Sequence, residues 1–148
     1  MADRSVTRAS REALVALARA HAAAEGSGDM EGTLATLEPD PCYELQPVGL
    51  AFRGMPAARL FYMHFFSRFQ PLIAGYELLS EWVGDGGVAQ EYRIDLRFPD
   101  GREESHRVIG ILTFGPRALS GERVFASERL LRLMFGPAYE QATPLGRG

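Results

Sequence analysis

Within the segment 88–98, apolar and charged residues alternate over residues 91–98, which predicts a β-strand with one buried face. One face of this strand carries Tyr92, Ile94, Leu96 and Phe98, and the other carries Glu91, Arg93, Asp95 and Arg97. A Pro-Asp-Gly sequence follows, which is typical of a hairpin turn because proline presets the first turn angle and glycine accepts positive φ. The chain is therefore expected to reverse at residues 99–101.

Four further segments have strand-like patterns. Residues 106–114 are apolar at both parities from Val108 onward, which predicts a central strand covered on both faces. Residues 42–50 and 76–83 also read as extended. The last segment, 122–127, alternates: Glu122, Val124 and Ala126 are opposed to Arg123, Phe125 and Ser127.

Helical spacing dominates the first half of the chain. Apolar residues recur at i, i+3, i+4 and i+7 over residues 7–25, and this stripe ends at His21, which is therefore expected to face inward. A short second helix is expected after Asp29, a good N-cap residue. A third begins near Pro56 and is apolar nearly all round over residues 60–69, so it is expected to be buried.

Together these elements predict an α+β fold in which three N-terminal helices pack on a curved, mixed and mostly antiparallel sheet. A curved sheet under helices encloses a pocket. The 148 residues suit a single domain with a core over about residues 9–135, and the tail 137–148, rich in proline and glycine, is expected to fray.

Composition excludes several classes of protein. A net charge of −3 with scattered arginines argues against a nucleic-acid partner, and no apolar run reaches membrane-spanning length, so we expect a cytoplasmic protein. The chain has no lysine, which excludes mechanisms that need a lysine Schiff base. One cysteine, three separated histidines and no phosphate-binding glycine loop predict neither a metal site nor a cofactor.

Four short motifs, in their order along the chain, are similar to motifs of one known superfamily. They are G-D-M-E-G-T-L at residues 28–34, the Q-P-V-G turn, the F-R-G-M-P-A-A start of the third helix, and the closing G-E-R-V-F-A-S-E. Over about residues 9–135 the chain is similar to the nuclear transport factor 2-like, or SnoaL-like, superfamily. The resemblance implies a cone-shaped (cystatin-like) fold around an apolar cavity, frequent homodimers, and functions that include polyketide cyclase, ketosteroid isomerase, dehydratase, epoxide hydrolase and non-catalytic binding.

The resemblance also implies where catalytic residues would lie. The ketosteroid isomerase base corresponds to Gln46, which cannot take a proton. The oxyanion-hole tyrosine of those enzymes maps near His21, and their protonated aspartate maps near Gly110. The acid of SnoaL-type cyclases corresponds to Ser127, beside Glu128.

The limonene epoxide hydrolase pattern is half present. Its Arg-x-Asp matches Arg93 and Asp95, and its water-positioning tyrosine matches Tyr43. Its water-binding asparagine corresponds to Leu45 and its second aspartate to about Val124.

Four residues are candidates for acid/base catalysis: Glu91, Arg93, Asp95 and His106. The first three share a strand face, so that Arg93 could orient Asp95 as a general acid or base. The alternative is a solvated strand face with cross-strand ion pairs, and His106 could equally be a surface residue at a hairpin end. The candidates for ligand binding are Tyr43, Gln46, His21, Tyr62, His64, Phe65, Phe125 and Ser127.

Two functions remain open at this point. One is a cofactor-independent acid/base enzyme acting on a small apolar molecule, and the other is a non-catalytic binding module. Neighbouring strand residues face opposite sides, so either the polar set around Arg93 or the apolar set around Tyr92 lines the pocket. The Arg-x-Asp match favours the polar set inside, and this arrangement predicts a homodimer that covers the apolar face.

Overall fold

The computed structural model describes residues 8–146. Helices and strands follow in the order α1 (Arg11–Gly26), α2 (Met30–Leu34), β1 (Leu37–Gln46), β2 (Leu50–Arg53), α3 (Met55–His64), β3 (Ile73–Val83), β4 (Gly87–Arg97), β5 (Glu103–Phe114), β6 (Leu119–Phe125), α4 (Glu128–Phe135), α5 (Pro137–Gln141) and β7 (Thr143–Pro144). A π-helical turn (Phe65–Phe69) and a short 3-10 turn (Gln70–Leu72) continue α3 toward β3.

Polar caps fix where three of the helices begin. The hydroxyl of Ser10 accepts from the backbone N–H of Ala13 at the start of α1, and the Asp29 carboxylate accepts from Gly32 at the start of α2. Ser127 caps α4 in the same way. Each side chain satisfies an N–H that has no partner within its helix, so the local sequence sets these boundaries.

The strands form one sheet in the order β3-β4-β5-β6-β1-β2-β7. Only the β1–β6 pair is parallel among these strands, so the sheet is mixed and mostly antiparallel, as predicted. The chain reverses between β4 and β5 at the predicted turn, where Gly101 adopts a φ of 89°. The α+β fold class is confirmed.

The core lies between the helices and one face of the sheet, which we call the inner face. The largest fully buried side chains include Tyr43, Tyr62, Phe69 and Phe135, which come from a strand, from α3 and its continuation, and from α4. On β4, Ile94 and Leu96 turn toward these helices and are buried. The opposite, outer face of the sheet carries the charged residues of β4.

Two details of the predicted layout are wrong. Two helices, not three, precede the first strand, because the β1–β2 hairpin lies between α2 and α3. The tail is not frayed up to residue 144: Ala138 and Tyr139 of α5 are buried, and β7 pairs with β2. The apolar side of α5 packs against the rest of the protein, although proline and glycine are frequent in this segment.

The outer face of β5 is also more open than predicted. Its residues Ile109 and Ile111 are half-buried rather than buried. None of the helices in the described part of the chain is both long enough and apolar enough to cross a membrane.

Candidate acid/base site in an apolar cavity

A cavity of about 120 Å³ lies between α1, the end of α3 and the inner face of the sheet. Most of its lining is aromatic or aliphatic, and includes Phe61, Phe65, Phe69, Tyr76, Tyr92, Ile94, Val108, Leu112 and Phe135. Its polar lining residues are His21, Glu25, Gln70, Gln90 and Glu122. Within residues 8–146, which the structure describes, no arginine lines it, although the chain has 16.

His21 and Glu25 are held together by the geometry of α1. They are four residues apart, so their side chains share a helix face, and His21 Nε2 lies 2.9 Å from Glu25 Oε2. His21 Nδ1 lies 2.7 Å from the Thr36 hydroxyl, which itself donates to the Thr33 carbonyl. The Thr36 oxygen therefore accepts the Nδ1 hydrogen, and this leaves Nε2 to face the carboxylate.

A pair of buried tyrosines extends this network. The Tyr62 hydroxyl lies 3.0 Å from His21 Nε2, 3.4 Å from Glu25 Oε2 and 2.8 Å from the Tyr43 hydroxyl. Burial raises the pKa of both phenols well above the usual value, so each keeps its hydrogen. When Tyr43 donates to Tyr62, the Tyr62 hydroxyl is free to donate either to neutral His21 or to Glu25.

The surroundings of His21 favour its charged form. Burial lowers the pKa of this imidazole, but the hydrogen bond to Glu25 and the negative charge of Glu25, with a smaller contribution from Glu122 when that carboxyl is ionised, outweigh burial and raise the pKa above its usual 6.5. His21 is only 1% exposed. The buried ring and the partly exposed Glu25 can therefore exist as a hydrogen-bonded ion pair beside the cavity.

Glu122 reaches the same site from β6. It pairs in register with Leu112 on one side and Tyr43 on the other, both of which are buried on the inner face. Its carboxyl group occupies the space over Gly110, where any side chain would overlap Glu122 Oε1. A glycine at position 110 thus makes room for the carboxyl of the neighbouring strand.

The three ionisable groups form one cluster: an imidazole nitrogen of His21 and one carboxyl oxygen each of Glu25 and Glu122 all lie within 4.8 Å of one another. Burial and the charge of Glu25 raise the pKa of Glu122 to about 8, although His21 acts in the opposite direction. Glu122 is therefore protonated at neutral pH and can donate a hydrogen bond into the cavity. The same three atoms are close enough to hold a metal ion, a use that the sequence did not suggest.

The polar residues predicted from β4 lie elsewhere. Arg93 pairs with Glu77 at 3.0 Å and with Asp95 at 3.4 Å on the outer face, and Arg107 lies 3.7 Å from Glu91. The side chains of Arg93 and Asp95 are 43% and 40% exposed. The prediction that this set lines the cavity is wrong, because burial of Tyr92 and Ile94 against the helices fixes the parity of the strand.

The remaining predicted residues divide into two groups. His21 and Phe65 line the cavity. Tyr62 contacts His21 without lining the cavity, and Tyr43 contacts Tyr62. Away from the cavity are His64, which bonds to the Leu133 carbonyl; His106, which pairs with Glu104; Gln46 and Phe125, on the outer face; and Ser127, the cap of α4. The helical phase of His21 and Tyr62 is confirmed by their burial.

Sequence reasoning missed Glu25, Glu122 and Gln90. Glu25 follows His21 by four residues, a spacing that indicates contact on a helix. Glu122 alternates with Val124 and Ala126, so it is the one charged residue on an otherwise apolar strand face. That mismatch was the available signal for a buried acid.

Comparison with known proteins supports the fold. No family model and no curated protein sequence matches this chain. Among solved structures, a de novo designed protein with a curved β-sheet is 14% identical, covering 90% of this chain and 99% of its own, with a TM-score of 0.64.

Two natural proteins have the same architecture. A nuclear transport factor 2-like protein of unknown function from Burkholderia pseudomallei is 18% identical over 85% of this chain and 98% of its own, with a TM-score of 0.59. A protein from Xanthomonas campestris, provisionally assigned as a polyketide cyclase, is 16% identical over 85% and 98%, with a TM-score of 0.60. The chain has the nuclear transport factor 2-like fold, as the resemblance implied, and at these identities the comparison establishes the fold alone.

Proposed function

We propose that this protein is a cofactor-independent acid/base enzyme that moves a proton on a small uncharged molecule held in the cavity. One observation carries the proposal: the hydrogen-bonded His21–Glu25 pair and the carboxyl of Glu122 meet at one place in a mostly apolar lining. Two neighbouring carboxyls with one proton between them supply an acid and a base at the same pH.

The positions of the groups assign their roles. Glu122, protonated at neutral pH, donates a hydrogen bond to an oxygen of the substrate. Glu25 removes a proton from the carbon beside that oxygen and returns it to a neighbouring position. His21 holds Glu25 by its Nε2–H, and Thr36 fixes the ring from the other side, so neither residue has to reorganise during the reaction.

This step is common to the reactions that the fold accommodates. Isomerisation, cyclisation and dehydration of carbonyl compounds each begin with proton removal next to a carbonyl, and epoxide opening also needs an acid at the oxygen. Ionisable groups inside the cavity are what distinguish such an enzyme from a binding module, and here they come from Glu25 and Glu122. The provisional cyclase of the same fold is consistent with this class of chemistry.

Hydrogen–deuterium exchange tests the proposal without knowledge of the natural substrate. Small ketones are incubated with the protein in D2O, and deuterium gain at the carbon beside the carbonyl is followed by NMR. We expect exchange above the buffer rate with the native protein. Replacing Glu25 by Gln is expected to slow it by about 10²–10⁴-fold, the usual contribution of a general base. Glu122→Gln, which removes the acid, is expected to slow it by about 10²–10³-fold.

The matched control is Asp95→Asn, because Asp95 is an acidic residue on the outer face of the sheet. This variant is expected to exchange at the native rate. Loss of exchange in Asp95→Asn with retention in Glu25→Gln would overturn the assignment. If ketones bind but neither the native protein nor any variant catalyses deuterium exchange, the protein is instead a binding module.

A further inference from the structure

The cavity limits the size and charge of what it can hold. Its volume of about 120 Å³ is below the usual range of roughly 300–1,000 Å³ for sites that bind drug-sized ligands. It is close to that of an engineered apolar cavity of about 150 Å³ that accommodates benzene. A single six-membered ring matches this space, and fused ring systems exceed it.

Hydrogen bonds hold the walls of the cavity at this separation. Tyr92 donates to Gln90, Gln90 donates to Glu81, and Arg19 of α1 pairs with Glu81 at 2.9 Å. This chain of contacts joins α1, β3 and β4 across one wall. Gln90 is 5% exposed, so its amide is fixed within the protein.

A second connection lies at the mouth of the cavity. The Gln70 side chain donates to the Glu25 carbonyl at 3.0 Å and fastens the end of α1 to the segment that follows α3. Tyr76 lies opposite on the edge strand, with its hydroxyl close to Gly26, and is 59% exposed. Because both walls are fastened, widening the cavity requires breaking these hydrogen bonds.

The charges of the lining exclude anions. Glu25 and Glu122 face the cavity, His21 is already paired with Glu25, and none of the arginines in the described part of the chain lines the cavity to hold a carboxylate or phosphate. The tyrosines around the cluster, Tyr43, Tyr62 and Tyr92, are all neutral. A cation would have to compete with His21 for Glu25, which is already paired, whereas a neutral hydrogen-bond acceptor needs no counter-charge from the lining.

We propose that the cavity selects uncharged, single-ring molecules that carry one hydrogen-bond acceptor, with the ring against the aromatic lining and the acceptor at Glu122. The limits on size and charge come from the cavity, and the position of the acceptor rests on the proposed function. Polycyclic ketones and anions of any size are rejected.

Ligands of matched shape test the proposal. The ring series is cyclohexanone, the two-ring 2-decalone and a four-ring steroid ketone; the charge series is cyclohexanone, cyclohexylamine and cyclohexanecarboxylate. Each is titrated into the native protein at pH 7, and binding is followed through the backbone amide signals of Gly110 and Glu122 by NMR. We expect cyclohexanone to bind at least tenfold more tightly than any other member of either series. In Tyr92→Ala, which enlarges the cavity, 2-decalone is expected to gain at least tenfold in affinity.

Three results would overturn the inference. They are 2-decalone or the steroid shifting the same signals at equal or lower concentration, cyclohexanecarboxylate binding as tightly as cyclohexanone, or cyclohexylamine binding more tightly with an affinity that rises up to about pH 8. The test separates the two proposals. Deuterium exchange of a polycyclic ketone but not of cyclohexanone refutes the size limit and leaves the acid/base function. Binding of cyclohexanone without exchange refutes the acid/base function and leaves the size limit.

Discussion

His21 and Glu122 owe their ionisation to residues that are distant in the chain. Glu122 is surrounded by apolar side chains and by Glu25 of α1, and its pKa is raised to about 8 because a second negative charge would be poorly solvated there. His21 shifts in the same direction, against its own burial, because two carboxyls lie beside it. The cluster therefore takes up protons when the chain folds.

This uptake predicts that stability falls as pH rises. Between the usual carboxyl pKa of 4.5 and about 8, the folded protein binds a proton at Glu122 that the unfolded chain does not. The free energy of unfolding should therefore decrease through this window, by up to about 1.4 kcal/mol per pH unit, and level off above it. His21 contributes to the free energy of unfolding with the same sign. Its stabilising contribution is fully present below the usual pKa of 6.5 and is lost as pH rises through the raised pKa.

Urea unfolding at pH 5, 6, 7, 8 and 9 measures this dependence, with Glu122→Gln as the matched variant. The two proteins are expected to have similar stability at pH 5, and the variant should become increasingly more stable toward pH 9. Parallel pH profiles for the two proteins would contradict the raised pKa of Glu122.

Tyr62 offers a second prediction at the scale of one residue. Its hydroxyl contacts His21, Glu25 and Tyr43 in a fully buried position, so Tyr62→Phe leaves the Tyr43 hydroxyl without a partner. We expect a loss of about 1–3 kcal/mol in the free energy of unfolding. The control is Tyr76→Phe, which removes a phenol hydroxyl from a side chain that is 59% exposed. Equal stability of both variants would contradict the buried network.

Strand pairing decides which carboxyl enters the cavity. The resemblance to the superfamily places an acid near Gly110 on β5, and this chain has a glycine there. The structure fills that space with Glu122 of β6, the next strand in the sheet. A carboxyl group therefore reaches this place from a neighbouring strand.

Gly110→Ala tests this relation between two strands. The added methyl group would meet the end of the Glu122 side chain, which is flexible, so the variant is expected to fold with stability within about 1 kcal/mol of the native protein. Displacement of the carboxyl should reduce ketone exchange by at least tenfold. In a Glu122→Ala background the same change should have no further effect on exchange. Native exchange in Gly110→Ala would show that the carboxyl does not act from this position.

Gly121→Ala is the contrasting variant one residue before Glu122. Gly121 has a φ of 143°, and an added methyl group would overlap the backbone of Cys42 on β1. Backbone cannot move aside as a side chain can, so this variant should lose several times more stability than Gly110→Ala when the two are compared by urea unfolding.

The state of assembly is a prediction for the whole molecule. A homodimer was expected to cover Tyr92, Ile94 and their neighbours, but these residues face the cavity or core. The outer face instead carries Trp82 and Phe125, which are 54% and 41% exposed, among ion pairs. We predict that a second copy covers this face, because exposed aromatic groups between paired charges suit a two-fold contact.

Light scattering of the native protein and of Phe125→Arg measures the state of assembly. The native protein is expected to have the mass of a dimer and the variant that of a monomer. Met63→Arg, at an exposed apolar residue of α3 away from the sheet, should remain dimeric. A monomeric native protein would contradict the prediction.

The sequence by itself determined the elements and the fold class. Alternation in β4, the Pro-Asp-Gly turn and the helical phase of His21 and Tyr62 depend on neighbours within a few residues, so they can be read along the chain. The nuclear transport factor 2-like fold followed from the order of these elements and a few turn motifs.

Only the tertiary structure decided which face of each strand lines the cavity. Alternation shows that Tyr92 and Arg93 point in opposite directions, but it is the packing of the inner face against α1 and α3 that places Tyr92 inside. The proximity of Glu25 and Glu122, and hence the raised pKa of Glu122, depends on contact between residues nearly a hundred positions apart. Electrostatic coupling depends on distance in space, and that distance is set by the fold rather than by any local pattern.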